Sequence, residues 1–194
     1  ELTPYEHLAF FGRLRGLERR EAARRADALV EALGLAPHRR TIARELSGGL
    51  KRKLLLGVAL IGDPPVLVLD EPTTGLDPHA RREIWAVLQG LRGQGRTILI
   101  TTHYMDEAEE LCDEVAIING GRIYAQGTVD DLRSRCRSRY KATFGDGNGR
   151  GRVVGQSADE VLAELRRRGV EEFHLAKTSL EDLYLELTAE ALEE

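Results

Sequence analysis

The sequence predicts an α/β protein in which a helical segment leads into a parallel sheet and a small α+β appendage follows. Residues 1–45 carry apolar residues at helical spacing. Two apolar runs, 66–69 and 97–102, flank a helical pattern, and a strand, a helix and a strand in that order predict a right-handed crossover between parallel strands. Strand and helix patterns alternate again after residue 135. We therefore expect a helical part at residues 1–62, an α/β part at 63–134 and an appendage at 135–194.

The composition is that of a globular protein in a reducing compartment. The 28 basic and 32 acidic residues give a net charge of -4, so no basic field predicts binding to nucleic acid. Cys112 and Cys136 are too few for a disulfide framework or a metal cage. The apolar stretch from Leu54 to Gly62 falls short of the ~20 residues that span a bilayer, and ELTPYEHLAFF lacks the pattern of a signal peptide. Any membrane role is therefore expected to need a separate partner.

Capping signals and apolar stripes predict the first two helices. Thr3 is a candidate N-cap, with Pro4 at the first helical position and Glu6 completing a capping box. The segment ERREAARRADALVEALG predicts a second helix that ends at Gly34. Its apolar stripe consists of Ala22, Ala26, Leu29, Val30 and Leu33.

The middle of the chain predicts a helix followed by the crossover unit. After ELSGG, the segment LKRKLLLGVALIG places Leu50, Leu54, Val58 and Ile61 at helical spacing. The strand after Pro64 and Pro65 is continuously apolar, which is typical of a strand buried on both faces. Asp77 is the candidate N-cap of the next helix, and the second strand ends at His103.

The remaining segments predict a hairpin and an α+β tail. Asn119 and Gly120 indicate the hairpin turn, and TVDDL predicts the start of a short helix. The segment GDGNGRGR is typical of a turn or linker. Beyond it, RVVG, SADEVLAELRRRG, VEEFHLA and SLEDLYLELT predict a strand, a helix, a strand and a helix.

Asp70 and Glu71, at the end of the first apolar strand, are the leading candidates for chemistry. Two carboxylates that enter a crevice can divide the work, one positioning Mg²⁺ and the other accepting a proton from water. The alternative is a polar turn in which Pro72 ends the strand. For the pair alone the two interpretations are equally supported.

Five further residues, at three places along the chain, are candidates on weaker signals. Ser47 can cap a helix whose free N–H groups favour an anion, and Gly48 and Gly49 permit close approach, although most such caps bind only water. His103 lies where ligands of open α/β sheets bind, although a lone histidine is more often structural. Asp77 follows the carboxylate pair and is placed to contact a partner across an interface.

Taken together and in order, LSGG, VLVLDEP, GLD and TTH closely resemble the motifs of the ATP-binding cassette (ABC) ATPases. In this resemblance Ser47, Gly48 and Gly49 match the signature motif, Asp70 the Walker B aspartate and Glu71 the catalytic glutamate. Asp77 matches the D-loop and His103 the switch histidine. The resemblance runs through residues 1 to about 130 and implies part of a P-loop NTPase-type sheet with a helical signature subdomain. The text around RREIW and the tail SLEDLYLELT resemble the exporter-like branch, which acts on drugs, lipids or antibiotics.

Two departures from the family pattern stand out. Leu50 occupies a position that commonly holds Gln. No stretch of the 194 residues fits G-x-x-x-x-G-K-[ST], the loop that holds the phosphates. We therefore expect this chain to be the carboxyl-terminal portion of a cassette, inactive by itself, with the phosphate loop before residue 1.

The resemblance implies an ATPase that uses ATP and Mg²⁺ in a head-to-tail cassette dimer coupled to a transmembrane permease. Asp70, Glu71 and His103 would serve the nucleotide of their own cassette, and Ser47, Gly48, Gly49 and Asp77 that of the partner. The protein would then be cytoplasmic and peripheral on the inner face of the membrane, and the transport would be export. The alternatives are a non-transport ABC ATPase of translation or DNA maintenance and a non-catalytic interaction fragment. The tail either modulates the dimer or only covers the sheet edge.

Overall fold

The computed structural model describes residues 1–145 and 150–193, and it confirms the α/β class. The chain forms two compact units, one of residues 1–103 and one of residues 104–194. The three-part division expected from the sequence stays a prediction. Within the described ranges, no helix combines the length and the apolar composition that crossing a lipid bilayer requires.

The first unit begins with the two predicted helices, α1 (Pro4–Leu14) and α2 (Arg19–Ala32). The capping box of Thr3 and Glu6 is present. Gly34 has a φ of +65°, a left-handed conformation that suits the turn after α2. Short 3-10 turns at Ala36–His38 and Ala43–Glu45 lead to the third helix, α3 (Gly48–Leu60), with Ser47 as its N-cap.

The buried face of α3 differs from the predicted stripe. Leu54 and Ile61 are buried as expected, whereas Leu50 and Val58 are only partly buried. Lys53, Leu56, Gly57 and Leu60 are buried in addition. A Cβ at Gly57 would lie 2.8 Å from Cδ1 of Leu33 and 2.9 Å from Cδ2 of Leu8, so close helix packing selects this face. Spacing alone did not identify this face, because apolar residues occur on several sides of α3 and the buried face includes a lysine.

The crossover unit is present and its two strands are parallel, as predicted. Strand β1 (Val66–Asp70) leads to α4 (Pro78–Gly93), whose N-cap is Asp77, and then to β2 (Thr97–Thr101). Val68 pairs with Leu99 and Asp70 pairs with Thr101. These parallel strands place the carboxyl ends of β1 and β2 at the same edge of the sheet.

The expectation that β1 is buried on both faces is wrong for the described residues. Leu67 is 3% exposed, but Val66 and Val68 are 53% and 67% exposed, and Leu99 on β2 is 59% exposed. Strand residues alternate between faces, so one face of this two-stranded sheet is packed and the other is open. Asp70 and Thr101 lie at the end of the open face.

The second unit contains a hairpin flanked by short helices. Helix α5 (Met105–Leu111), which the sequence analysis missed, precedes β3 (Val115–Asn119), β4 (Arg122–Gly127) and α6 (Val129–Ser134). Asn119 pairs with Arg122, so the turn consists of Gly120 and Gly121, one residue later than predicted. Both glycines have positive φ, as a two-residue hairpin turn of this kind requires. Thr128 caps α6 in a capping box.

The appendage is a three-stranded antiparallel sheet with two helices. Strand β5 (Tyr140–Gly145), also missed, lies between β6 (Arg150–Gly155) and β7 (His174–Lys177). Helices α7 (Ala158–Arg167) and α8 (Leu180–Glu193) complete the predicted order of strand, helix, strand and helix. The predicted turn within GDGNGRGR falls largely on residues 146–149, outside the described residues.

Candidate functional site

Asp70 and Glu71 lie at the carboxyl end of β1, where the sequence analysis placed them. The hydroxyl of Thr101, on the neighbouring strand, donates a hydrogen bond to Oδ1 of Asp70. The backbone N–H of Glu71 donates to the carbonyl oxygen of Thr101 at 3.0 Å and lies 3.2 Å from its hydroxyl oxygen. Thr101 therefore fixes both the side chain of Asp70 and the backbone of Glu71.

The carboxylate of Glu71 has a neighbour at each oxygen. Nδ1 of His103 lies 3.2 Å from Oε1, and the hydroxyl of Thr74 donates to Oε2 at 3.0 Å. Because a carboxylate only accepts hydrogen bonds, Nδ1 of His103 carries the proton in this contact. The side chains of Glu71 and His103 are 47% and 53% exposed, so the pair is oriented yet open to solvent.

Glu71 also has an unusual backbone conformation. Its φ is +44°, in the left-handed region that residues other than glycine rarely adopt. Such strain persists only where surrounding contacts hold it, and it concentrates at functional sites. Here the backbone bond to Thr101 and the side-chain contacts to Thr74 and His103 provide that restraint.

Ser47, Gly48, Gly49 and Asp77 form a second group, at the N-termini of α3 and α4. The Oγ of Ser47 accepts from the N–H of Leu50 at 3.4 Å. A Cβ added at Gly49 would lie 3.1 Å from Cβ of Ala80, so the first turns of the two helices touch. A Cβ at Gly48 would meet no described atom within 4 Å. Packing within the described part of the chain therefore gives no reason for glycine at position 48.

Asp77 caps α4 with its carboxylate. Its Oδ1 accepts hydrogen bonds from the N–H groups of His79 and Ala80, at 2.9 and 3.0 Å. The bond from Ala80, followed by the one from His79, lowers the pKa of Asp77 below its usual value. The carboxylate is therefore ionised at neutral pH at the start of the helix.

The structure thus brings the seven predicted residues together as two groups. Asp70, Glu71 and His103 meet at the ends of the two strands, and the others lie at the two helix N-termini. Arg52, on α3, links the two groups. Its guanidinium lies 3.5 Å from the carbonyl oxygen of Thr74, the residue whose side chain contacts Glu71. Thr74 and Thr101 are site residues that the sequence analysis missed. Thr101 could have been identified only from the strand register, which pairs it with Asp70.

The acidic residues suit a magnesium ion better than a metal held by the protein alone. In the described part of the chain, no three or more His, Cys, Asp or Glu side chains gather as a metal cage. Mg²⁺ is usually held by one or two carboxylates together with water and phosphate oxygens. Asp70, with its carboxylate fixed by Thr101 on the open face of the sheet, fits that requirement.

Comparisons with known proteins find relatives that are named as ATP-binding proteins. A family profile described as "AAA domain, putative AbiEii toxin, Type IV TA system" matches residues 17–105, which contain all seven site residues. The Nod factor export ATP-binding protein I of Rhizobium etli is 38% identical over 213 residues, covering 100% of this chain and 67% of that protein. Daunorubicin resistance ATP-binding protein DrrA3 of Streptomyces coeruleorubidus is 46% identical over 134 residues, covering 69% of this chain and 42% of that protein.

A solved structure of an ATP-binding subunit has a similar fold. The structure of the ATP-binding subunit of an ABC transporter superposes with a TM-score of 0.64 at 29% identity, covering 97% of this chain and 63% of that one. The chain belongs to the ATP-binding proteins of ABC transporters. It spans between 42% and 67% of the length of the two curated relatives described above.

Proposed function

We propose that this chain is the catalytic and signature-bearing part of an ABC ATPase that drives export through a separate membrane permease. The observation that carries the proposal is the carboxylate of Glu71, oriented by His103 and Thr74 at the end of a parallel strand. A carboxylate so held is placed to accept a proton from water. The names of the relatives, which refer to Nod factor export and daunorubicin resistance, support export as the direction.

Three side chains would act on the nucleotide of their own cassette. Glu71 accepts the proton of the water that attacks the γ-phosphate, and the hydrogen bond from His103 keeps its carboxylate aimed. Asp70 would hold Mg²⁺, which when bound neutralises charge on the phosphates. Thr101 holds the Asp70 carboxylate in place for that role.

The second group would act on the nucleotide of a partner cassette. The first turn of α3 offers backbone N–H groups, and the helix dipole there favours a phosphate. Gly48 leaves those groups approachable because no side chain covers them. Asp77 would contact the partner beside them. The protein would work as a head-to-tail dimer of cassettes in the cytoplasm, held at the inner face of the membrane by its permease.

A comparison of the full-length protein with the 194-residue chain tests the proposal. We expect the full-length protein with its permease to hydrolyse ATP in a magnesium-dependent reaction. The 194-residue chain contains no G-x-x-x-x-G-K-[ST] loop, so it should bind ATP poorly and hydrolyse none. Calorimetry and phosphate release measure the two activities. Micromolar ATP affinity of the 194-residue chain would contradict the second expectation, and a full-length protein without ATPase activity would contradict the function.

The replacement Gly48→Ala tests the role of the α3 N-terminus. We expect it to weaken ATP-driven dimerisation of the full-length protein by roughly tenfold or more, because a methyl group there obstructs the approaching phosphate. Folding should be unaffected, since a Cβ at Gly48 meets open space.

Gly90→Ala on α4 is the matched control, because a Cβ there also meets nothing within 4 Å. It should leave dimerisation unchanged and raise the free energy of unfolding by about 0.5–1 kcal/mol, as the loss of a helical glycine does. Light scattering with and without ATP measures the dimer. Equal dimerisation of the two variants would remove Gly48 from the proposed site.

A further inference from the structure

An ion pair between a buried lysine and an exposed glutamate joins the two helices that carry the second group of site residues. Nζ of Lys53, on α3, lies 3.0 Å from Oε2 of Glu83, on α4. The side chain of Lys53 is 8% exposed, whereas that of Glu83 is 43% exposed. A buried ammonium needs a compensating charge, so the pair ties α3 to α4 at one defined point.

The position of this pair along the helices aligns their N-termini. Lys53 follows the N-cap Ser47 by six residues, and Glu83 follows the N-cap Asp77 by six residues. At 1.5 Å per residue, the pair lies about 9 Å beyond each cap. Nearer the caps, the approach of Gly49 to Ala80 is a second contact in the same order along both helices. The two N-termini therefore lie side by side and point the same way.

Two neighbouring groups lie close to the pair. Nδ1 of His79, in the first turn of α4, lies 3.7 Å from the same Oε2 of Glu83. The ammonium of Lys53 also lies close to Gly34, where an added Cβ would be 3.6 Å from Nζ. Gly34 ends the turn after α2, so Lys53 sits where three helices of the first unit meet.

We propose that Lys53 and Glu83 are positioning residues that hold the Ser47–Gly49 segment and Asp77 in register, so that both engage a partner's nucleotide as one unit. This inference rests on the proposed function, in which those two segments act on the partner. Neither Lys53 nor Glu83 touches the nucleotide. They act through the alignment of two helix N-termini.

The test measures ATP-driven dimerisation of the full-length protein in a Glu71→Gln background, in which the block of hydrolysis is expected to preserve the ATP-bound dimer. The variants are Lys53→Met, Glu83→Gln and the double variant. We expect each single variant to raise the dimer dissociation constant roughly tenfold, and the double variant to add little, because both remove the same link. ATP affinity of the dilute, monomeric protein should stay within about twofold, since the cis residues are untouched.

Glu83→Gln keeps the shape of a side chain that is 43% exposed, so it carries the test even if Lys53→Met folds poorly. Glu164→Gln, which removes a partly exposed ion-pair partner of Arg167 and Arg168 near the end of α7, is the control and should leave dimerisation and ATP affinity unchanged. Dimerisation of Glu83→Gln equal to that of the background would overturn the inference. A loss of ATP affinity in the monomeric variant as large as its loss of dimerisation would overturn it too. If the Glu71→Gln background itself does not dimerise with ATP, the proposed function fails instead.

Discussion

Replacing Glu71 with glutamine in the full-length protein is expected to lower ATP turnover by roughly 10²-fold or more, the scale of a lost general base. Glutamine has nearly the same shape and can still accept a hydrogen bond from Thr74, but it cannot take a proton from water. ATP affinity should therefore be unchanged while hydrolysis falls. Phosphate release and nucleotide binding on the same preparation measure the two quantities separately.

Glu31→Gln is a suitable control for the Glu71 prediction, because Glu31 is an exposed residue on α2 and is not one of the site residues. It should leave turnover unchanged. Near-normal turnover of Glu71→Gln would reject Glu71 as the base. A parallel loss of ATP affinity would instead indicate that the strained backbone at Glu71, with its φ of +44°, had rearranged.

Local signals predicted the elements that carry the site because capping and spacing act over a few residues. Ser47 and Asp77 cap their helices as expected, and a short crossover places β1 and β2 in parallel. The convergence of Asp70, Glu71 and His103 then follows from topology, since the carboxyl ends of parallel strands share an edge. That these residues have the predicted catalytic and binding roles stays a prediction.

Features set by packing between distant segments were not predictable. The buried face of α3 depends on the fit of Gly57 against Leu8 and Leu33, which no spacing rule encodes. Apolar composition indicated that β1 can be buried, but not that Val66 and Val68 stay open in this chain. The role of Thr101 required the register of two strands. The Lys53–Glu83 pair joins residues 30 positions apart, and no local pattern in the sequence links them.

The replacement Asp182→Asn is expected to destabilise the appendage by about 2–3 kcal/mol, somewhat less than the loss of one partner of a fully buried ion pair. Asp182 is 4% exposed, and its carboxylate accepts from Lys141 at 2.6 Å and Arg152 at 2.9 Å. Oδ2 also accepts from the N–H and hydroxyl of Ser179. Both carboxylate oxygens accept hydrogen bonds, so the NH₂ group of asparagine would face a donor in either orientation of the amide. The charges of Lys141 and Arg152 would also lose their compensating carboxylate. The expected loss of stability is smaller than for a fully buried ion pair because the side chains of Lys141 and Arg152 are 23% and 46% exposed.

Hydrogen exchange of amides in β5, β6 and α8 of the full-length protein measures this effect, because it reports the opening of one region. Asp130→Asn, at a side chain that is 97% exposed, is the control and should leave exchange unchanged.

The pH dependence of the stability difference between the parent and Asp182→Asn distinguishes the effect of the charge of Asp182 from that of its shape. Burial alone raises the pKa of the Asp182 carboxyl, but hydrogen bonds from Lys141 and Ser179 outweigh it, so the net pKa is lowered. A carboxyl whose pKa is lower in the folded state adds stability above its unfolded pKa and loses it as the pH falls through the folded value. The stability gap between the parent and Asp182→Asn should therefore be constant near neutral pH and shrink below about pH 4. A gap that persists unchanged to lower pH would mean that packing around residue 182, and not its charge, holds α8 on the sheet.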